Sequence, residues 1–163
     1  GRFDKAKNQE YLVEIFKLMA KKNENAMLLL IGDGELRTHI IEKVKTYGLE
    51  DRVIFTGVRS DVNELLQAMD VFIFPSIYEG LPVTVIEAQT AGLPCIISDT
   101  ITDEVCITPL VEKLSIEQEP MVWARNIELL NKNIHENFSR KIKNCGYDIN
   151  TSVLSLEKFY LSI

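Results

Sequence analysis

Short apolar runs alternate with amphipathic stretches along most of this chain. Apolar residues recur every three or four positions at residues 8–19, 36–44, 62–69 and 82–91. Between these stretches, and bounded by glycines or polar residues, lie apolar runs at residues 27–31, 53–56, 71–74 and 95–98. The first pattern predicts helices, and the second is typical of strands buried on both faces. The alternation therefore predicts an α/β fold, with a Rossmann-like, doubly wound parallel sheet and flanking helices.

The alternation loosens after residue 99. Residues 101–114 predict a short helix and a final short strand, and helical patterns follow at residues 120–131, 135–145 and 152–160. We therefore expect a helical C-terminal tail. No repeat, low-complexity tract or linker interrupts the sequence, so residues 1–163 are interpreted as one domain. Residues 1–3 look like the exit of a strand, which we expect to precede them in a longer protein.

Composition and charge narrow the possible functions. The chain has 18 Lys and Arg against 24 Asp and Glu, a net charge of -6, so no nucleic-acid partner is expected. Three cysteines (95, 106 and 145) and two histidines (39 and 135) lack the spacing of metal ligands, so no metal site is expected. The longest apolar run is far too short to cross a bilayer, and no leader pattern opens the sequence. We expect a cytoplasmic protein.

Four loops are candidates for a binding site. In an open parallel sheet, ligands bind outside the carboxyl ends of the strands. These ends are expected at residues 1–8, 32–35, 57–61 and 75–81. They also carry the most distinctive residues of the sequence.

The loop at residues 75–81 combines phosphate-binding and hydroxyl-binding features. Pro82 suits the first turn of a helix, which leaves the amides of Gly80 and Leu81 free to hold a phosphate. Glu79 and Glu87 flank that position, and a carboxylate accepts hydrogen bonds from vicinal sugar hydroxyls. Phosphate flanked by sugars indicates a nucleotide-sugar. Spacing alone favours a surface loop residue for Glu79 and a solvated or helix-capping acid for Glu87.

Glu79 and Glu87 also form an E-x7-E element within the segment PSIYEGLPVTVIEAQTAGLPCIIS. This segment resembles the donor-binding domain of retaining glycosyltransferases with the two-lobed GT-B fold, the "glycosyl transferases group 1" or family 4 enzymes. The resemblance covers residues 1–100 and includes the Gly1-Arg2 and Lys7-Asn8 pairs, the Gly-Asp-Gly turn at residues 32–34 and residues 52–57. Leu81-Pro82 replaces the frequent Phe-Gly of the family, which is similar to its polysaccharide-biosynthesis members.

The resemblance implies catalytic roles for three residues. Arg2 and Lys7 would bind the donor diphosphate and stabilise its leaving charge without a metal. Glu79 would lie near the donor sugar. No cofactor beyond the nucleotide-sugar substrate is implied.

It also implies a set of donor-binding residues. Glu87 would hold the ribose hydroxyls, and the amides of Gly80 and Leu81 would meet the diphosphate or the sugar. Gly32 would let the chain pass close to the phosphates, although a tight turn explains it equally well. Val58 and Arg59 would lie near the base, largely through main-chain contacts. The neighbouring Asp61 alternatively caps the next helix, with Glu64 in its first turn.

These roles describe only half of an enzyme. The family builds its active site between two lobes, and residues 1–163 correspond to the donor lobe without the N-terminal acceptor lobe. We therefore expect this chain alone to be inactive. The whole protein would move a sugar to a glycan or lipid-linked acceptor in cell-surface polysaccharide synthesis, with any peripheral association at the cytoplasmic face of the membrane occurring through the other lobe.

Two other interpretations remain. A nucleotide-sugar epimerase has a similar two-lobed fold, but usually carries acidic and histidine motifs that the strand-end loops here lack. A non-catalytic doubly wound module of the receiver type should place acidic residues at the first and third strand ends. This chain has Arg2, Gly32 and Glu79 at the corresponding strand ends.

Overall fold

The computed structural model describes residues 1–130 and 137–162. The strands are β1 (Leu28–Ile31), β2 (Val53–Gly57), β3 (Phe72–Phe74), β4 (Cys95–Ser98) and β5 (Val111–Leu114). The helices are α1 (Gln9–Lys22), α2 (Arg37–Thr46), α3 (Val62–Gln67), α4 (Val83–Thr90), α5 (Pro120–Leu129), α6 (Ser139–Asn144) and α7 (Ile149–Leu161). Short 3-10 helices occur at Lys5–Lys7, Glu50–Arg52 and Asp103–Val105.

The predicted order of elements is confirmed wherever the structure describes the chain. Each helix and strand predicted between residues 8 and 98 is present, with its ends shifted by at most three residues. The expected short helix and strand after residue 100 are Asp103–Val105 and β5. The helix predicted at residues 135–145 is seen as Ser139–Asn144, while residues 131–136 lie outside the described part.

All described strand pairs are parallel, and they form two ladders. β1 pairs with β2, while the second ladder has the order β3-β4-β5. Ile96 of β4 stands opposite both Ile73 of β3 and Glu112 of β5. The Rossmann-like α/β fold class is therefore confirmed, although hydrogen bonds join the described strands into two groups where one sheet was predicted.

Helices cover both faces of the β3-β4-β5 ladder. Ile96 packs with Trp123 of α5 and with Ile15 of α1. Its neighbour Ile97 packs with Val85 of α4. Because successive residues of a strand point to opposite faces, α1 and α5 lie on one face and α4 on the other. This arrangement is the doubly wound layering that the sequence predicts.

One burial prediction is wrong. All four residues of β4 are buried, as expected for a strand covered on both faces. In β1 only Leu28 and Leu30 are buried, while Leu29 and Ile31 are half-buried and the preceding Met27 is 51% exposed. The reason is a cavity between β1 and β3, which these side chains line.

Candidate functional site

The loop at residues 75–79 is tied to the turn at residues 4–8 at the carboxyl edge of the strands. The amide of Ile77 donates a hydrogen bond to the Ala6 carbonyl at 2.7 Å. The Asn8 side-chain amide donates to the Pro75 carbonyl at 3.1 Å. Two of the loops expected to form one site are therefore fixed against each other.

Lys7 and Glu79 face each other across these two loops. Lys7 Nζ lies 2.6 Å from Glu79 Oε1, and the side chains are only 24% and 12% exposed. The ammonium also lies 5.3 Å from the centroid of the Phe74 ring. Partial burial and the ring hold the cation at the end of β3. The structure brings together these two predicted catalytic residues, and the sequence analysis did not predict that they pair.

Local geometry explains where the Lys7 side chain lies. Asp4 Oδ1 accepts a hydrogen bond from the Lys7 amide at 3.1 Å and so caps the short 3-10 helix Lys5–Lys7. Asn8 then adopts the left-handed conformation, with φ of 53°. Asparagine tolerates this conformation better than most residues, so the chain can turn sharply into α1.

Arg2 is exposed at the start of the segment that carries Lys7. Its carbonyl accepts a hydrogen bond from Gln9 Nε2 at 2.6 Å, which fixes its backbone to the first turn of α1. Within residues 1–130 and 137–162 its guanidinium forms no ion pair. Arg2 therefore presents a cation to solvent at the carboxyl edge, whereas the cation of Lys7 is already neutralised by Glu79.

Gly32 is required by the close approach of Gly1. It has φ of +129°, and a Cβ atom there would lie 1.9 Å from the Gly1 carbonyl oxygen. Next to it, the Phe3 amide donates to the Asp33 carbonyl at 2.9 Å. The backbone conformation and the close contact with Gly1 thus explain why a glycine is needed at position 32. A contact between Gly32 and the donor phosphates stays a prediction.

The N-terminus of α4 offers unpaired amides. Pro82 is the N-cap with extended ψ, so it lies one residue before the helical position predicted for it, and no side chain caps the helix. In the described part of the chain, the amides of Gly80, Leu81 and Thr84 donate to no carbonyl or side chain. Gly80 is exposed, and a Cβ there would meet nothing within 4 Å. These amides can donate hydrogen bonds to an anionic ligand from solvent.

Glu87 lies on the same side of the site as Lys7. It is exposed in the second turn of α4. Together with Gly1, Lys7 and Thr84 it lines the cavity that β1 and β3 border. The two glutamates therefore differ in state, because Glu79 holds a lysine while the carboxylate of Glu87 faces open space.

Val58 and Arg59 occupy the carboxyl end of β2. Val58 is 81% exposed. Arg59 Nε donates to Asp61 Oδ1 at 2.7 Å, and its second nitrogen contacts the other carboxylate oxygen. The hydrogen bonds from Arg59 hold the pKa of Asp61 below its usual range. Asp61 is the N-cap residue of α3, where the alternative interpretation puts it, but its side chain binds Arg59 and makes no cap hydrogen bond to the helix.

Sequence reasoning missed three polar residues at the strand ends. Asn8 connects the two loops, as described above. Thr100 Oγ1 donates to the Ser76 carbonyl at 3.2 Å and thus ties the end of β4 to the end of β3. Ser76 itself is fully buried, and its hydroxyl has no partner among the described residues. The available signal for Ser76 and Thr100 was a polar residue two positions after the end of an apolar strand.

Other site types find no support in the part of the chain that the structure describes. No group of three or more His, Cys, Asp and Glu residues stands close enough to hold a metal ion. No described helix is both long and apolar enough to span a membrane. Burial raises the pKa of the Cys95 thiol to about 12, which makes it unreactive.

Comparisons with known proteins give relatives of one kind. The chain is 36% identical to the putative glycosyltransferase EpsF of Bacillus subtilis, over 98% of this chain and 43% of that protein. It is 37% identical to the UDP-Gal:alpha-D-GlcNAc-diphosphoundecaprenol alpha-1,3-galactosyltransferase of Escherichia coli, over 61% of this chain and 26% of that protein. The chain thus spans less than half the length of these two relatives.

Solved structures share the fold at low identity. The Anabaena HepE protein in complex with UDP and glucose superposes with a TM-score of 0.82 at 19% identity, over 100% of this chain and 47% of that one. The pneumococcal O-GlcNAc transferase GtfA, in complex with UDP and GlcNAc, gives a TM-score of 0.79 at 19% identity, over 99% of this chain and 34% of that one. The family profile described as "Glycosyl transferases group 1" matches residues 1–147. The chain therefore belongs to the glycosyl transferases group 1 family.

Proposed function

We propose that this chain is the donor-binding half of a retaining glycosyltransferase. The whole protein would transfer a sugar from a nucleotide-sugar to a glycan or lipid-linked acceptor during polysaccharide synthesis. The observation that carries this proposal is the Lys7–Glu79 ion pair of 2.6 Å beside the uncapped N-terminus of α4. Family membership favours it over an epimerase or a receiver-like module.

The cations and amides suit a leaving nucleoside diphosphate. Arg2 presents an exposed guanidinium, and the amides at the start of α4 add the positive end of the helix dipole. A diphosphate gains negative charge as the glycosidic bond breaks, so fixed positive groups stabilise the transition state more than the ground state. We propose that these groups replace a metal ion in this role.

The two glutamates suit the two sugars of the donor. Glu87 is exposed, lines the cavity and can accept hydrogen bonds from ribose hydroxyls. Glu79 is held at the end of β3 and would meet hydroxyls of the transferred sugar. Its repulsion of the phosphates is limited because Lys7 neutralises it. The departing phosphate would then help to deprotonate the acceptor, and the anomeric configuration would be retained.

The activities named for two relatives support an acceptor of this class. The E. coli relative is named for a UDP-Gal donor and a diphosphoundecaprenol-linked acceptor. Another relative, 35% identical over 61% of this chain, is the amylovoran biosynthesis glycosyltransferase AmsD of Erwinia amylovora. We extend these activities to this chain as a proposal. The rest of the protein would bind the acceptor and make any contact with a membrane. The reaction would take place on the cytoplasmic side.

A donor-consumption assay with the full-length protein tests the proposal. UDP-, GDP- and ADP-sugars are offered with a lipid-linked acceptor, and the released nucleoside diphosphate is measured with and without a chelator. We expect one donor to be consumed equally in both conditions, and Glu79→Gln to remove most of this activity. Lys22→Ala is the control, because Lys22 pairs with Glu128 on the far surface of α1 and α5. Consumption of no donor, or full activity in Glu79→Gln, would contradict the proposal.

A further inference from the structure

Gln89 is a fully buried polar side chain of α4. The other buried residues of this helix are apolar and pack in one hydrophobic cluster with Ile97 of β4. Glutamine is seldom found at such a position, because an amide taken out of water without hydrogen bonds destabilises the folded state. The presence of this amide in the core therefore requires hydrogen-bond partners.

The structure provides partners for the whole Gln89 amide. Its Nε2 donates to the carbonyls of Val85 at 3.1 Å and Val105 at 2.7 Å. Its Oε1 accepts from the Thr108 amide at 3.0 Å and from the Thr108 hydroxyl at 2.9 Å. A primary amide has two donor hydrogens and two acceptor lone pairs, so its hydrogen-bonding capacity is filled. The reverse orientation of the amide would set acceptors against acceptors and donors against donors.

The partners of Gln89 belong to the backbone that leads into β5. Thr108 Oγ1 also accepts a hydrogen bond from the Leu110 amide at 3.3 Å. The Leu110 carbonyl in turn accepts from the amide of Cys95, the first residue of β4, at 2.8 Å. Gln89 therefore connects α4 to the β4-β5 ladder through a chain of directional bonds.

These bonds constrain α4 in a way that its apolar contacts do not. Apolar burial is non-directional, whereas a hydrogen bond requires its donor and acceptor to align. Among the described residues, Gln89 is the one side chain of α4 that hydrogen-bonds to another element, since Thr90 bonds within the helix and the N-cap Pro82 has no side-chain bond. The rotation and the axial position of this short helix therefore depend on Gln89.

The orientation of Gln89 also sets that of Glu87. Two residues of an α-helix that are two positions apart point about 200° away from each other. Gln89 accordingly faces the core, while Glu87 is exposed and lines the cavity beside Lys7. A rotation or a slide of α4 would displace Glu87 and the unpaired amide of Thr84 together.

We propose that Gln89 is a positioning residue for donor binding. Its amide holds α4 in one rotation and one axial position, so that Glu87 and the amides at the start of α4 meet the nucleotide-sugar at the same time. Groups that are held in place before binding lose less freedom when the ligand arrives. Gln89 is fully buried, so it acts through α4 and not by contact with the donor. This inference rests on the proposed function.

Calorimetry on the full-length protein tests this role with Gln89→Met. Methionine keeps the length and the approximate volume of the side chain but makes none of the four hydrogen bonds. We expect Gln89→Met to raise the Kd of the nucleotide or nucleotide-sugar that the wild type binds by at least ~10-fold. Ile127→Val is the control, because it truncates a fully buried side chain in the cluster on the α5 side of the sheet. It should leave the Kd unchanged while both variants stay folded by circular dichroism.

Gln89→Glu separates positioning from packing. A protonated carboxyl keeps a hydroxyl donor for the Val105 carbonyl and an acceptor for Thr108. The ionised form has no donor, and burial disfavours it. We therefore expect the ratio of the Kd of this variant to that of the wild type to fall toward one as the pH is lowered from about 8 to about 5. The same ratio for Gln89→Met should not change with pH.

The outcomes separate this inference from the proposed function. Equal Kd values of Gln89→Met and the wild type, or an equal rise in Gln89→Met and Ile127→Val, overturn the role of Gln89 while donor binding stands. If Gln89→Met does not fold, Gln89→Glu decides, because a Kd ratio that does not depend on pH also overturns the role. If the wild type binds none of UDP, GDP, ADP and their sugars, the proposed function fails and the role of Gln89 fails with it.

Discussion

Lys7 Nζ and Glu79 Oε1 lie 2.6 Å apart although 72 positions separate the two residues in sequence. The pair joins the turn after residue 3 to the loop after β3, and both side chains are largely shielded from water. A ligand that competes for Lys7 must therefore offer Glu79 replacement hydrogen bonds. A phosphate cannot do this, but the hydroxyls of an attached sugar can.

Replacement of Lys7 should weaken binding of a nucleoside diphosphate. A hydrogen bond to a charged group contributes about 1.5–3 kcal/mol, so we expect Lys7→Ala to raise the Kd about 10- to 150-fold. Calorimetry on the full-length protein measures this change. Lys22→Ala removes an exposed lysine of a surface pair and should leave the Kd unchanged. An unchanged Kd in Lys7→Ala would exclude Lys7 from the donor site.

Asn8 should act as a positioning residue for the two loops. It combines φ of 53° with a 3.1 Å hydrogen bond from its side chain to the Pro75 carbonyl. Asn8→Asp keeps the size of the side chain and its tolerance of the left-handed conformation. It replaces the donating amide with a carboxylate oxygen, so that two acceptors face each other at the Pro75 carbonyl. We expect it to lower the free energy of unfolding by about 1–2 kcal/mol, measured by urea denaturation.

Asn8→Gly separates the backbone from the side chain in this test. Glycine adopts the left-handed conformation freely, so only the hydrogen bond and chain entropy are lost, at a cost of about 1–2 kcal/mol. Asn8→Ala should cost about 1–2 kcal/mol more than Asn8→Gly, because a Cβ strains this conformation. Equal stability of Asn8→Asp and the wild type would show that the bond to Pro75 contributes nothing.

Gly32→Ala should displace the backbone of residues 1–3. The added Cβ would lie 1.9 Å from the Gly1 carbonyl oxygen, so the backbone that carries Arg2 must move. Gly48→Ala is the matched control, since Gly48 also has positive φ, of +65°, but a Cβ there meets nothing within 4 Å. Gly48→Ala carries the left-handed strain of about 1–2 kcal/mol, and Gly32→Ala carries at least as much, because its φ lies outside the left-handed region that a Cβ tolerates.

Because of the clash, Gly32→Ala should lower the free energy of unfolding by about 1–3 kcal/mol more than the control does. It should also weaken donor binding. Thermal denaturation and calorimetry measure the two effects. Equal losses in both glycine variants would show that the contact between Gly1 and Gly32 relaxes at no cost.

The Arg59–Asp61 pair predicts a pH dependence at the end of β2. Hydrogen bonds from Arg59 lower the pKa of Asp61, so the pair stabilises the folded state above the ordinary carboxyl range near pH ~4. That contribution is lost as the pH falls through the lowered folded value. Arg59→Ala should return the pKa of Asp61 toward its ordinary range in an NMR titration.

Asp148 is the internal control for this titration. Hydrogen bonds from Thr151 lower its pKa, and Arg59 is not among the causes of that shift. The Asp148 titration should therefore be the same in the wild type and in Arg59→Ala. A pKa of Asp61 that is unchanged in the variant would show that the pair does not form in solution.

The sequence was sufficient to predict the order of elements because their patterns are local. Residues 95–98 read as a buried strand from four consecutive apolar or small residues, and β4 is fully buried. The half-burial of Leu29 could not be read in the same way, since it depends on what lies between β1 and β3. The burial of a strand depends on the elements packed around it, which its own sequence does not show.

The candidate site was predictable as a set of residues but not as an arrangement. The resemblance to the family singled out Lys7, Glu79 and Glu87 without showing that the first two form an ion pair. The bond from Asn8 to Pro75 spans 67 positions, and no local pattern reports such a contact. Local spacing left capping of α3 as one alternative for Asp61; the residue does stand at the N-cap, but a bidentate arginine two residues away binds its carboxylate.

Calorimetry with paired variants of the full-length protein tests the central claim most directly. UDP, GDP, ADP and their sugars are titrated into the wild type, into Arg2→Ala/Glu87→Gln, and into the control Lys22→Ala/Glu128→Gln, which removes a surface pair of 2.9 Å. We predict that the wild type and the control bind one nucleotide series with the same Kd, and that the Arg2/Glu87 double variant binds it at least ~100-fold more weakly. Binding of none of these ligands by the wild type, or undiminished binding by the Arg2/Glu87 variant, would contradict the assignment of this chain as a donor-binding domain.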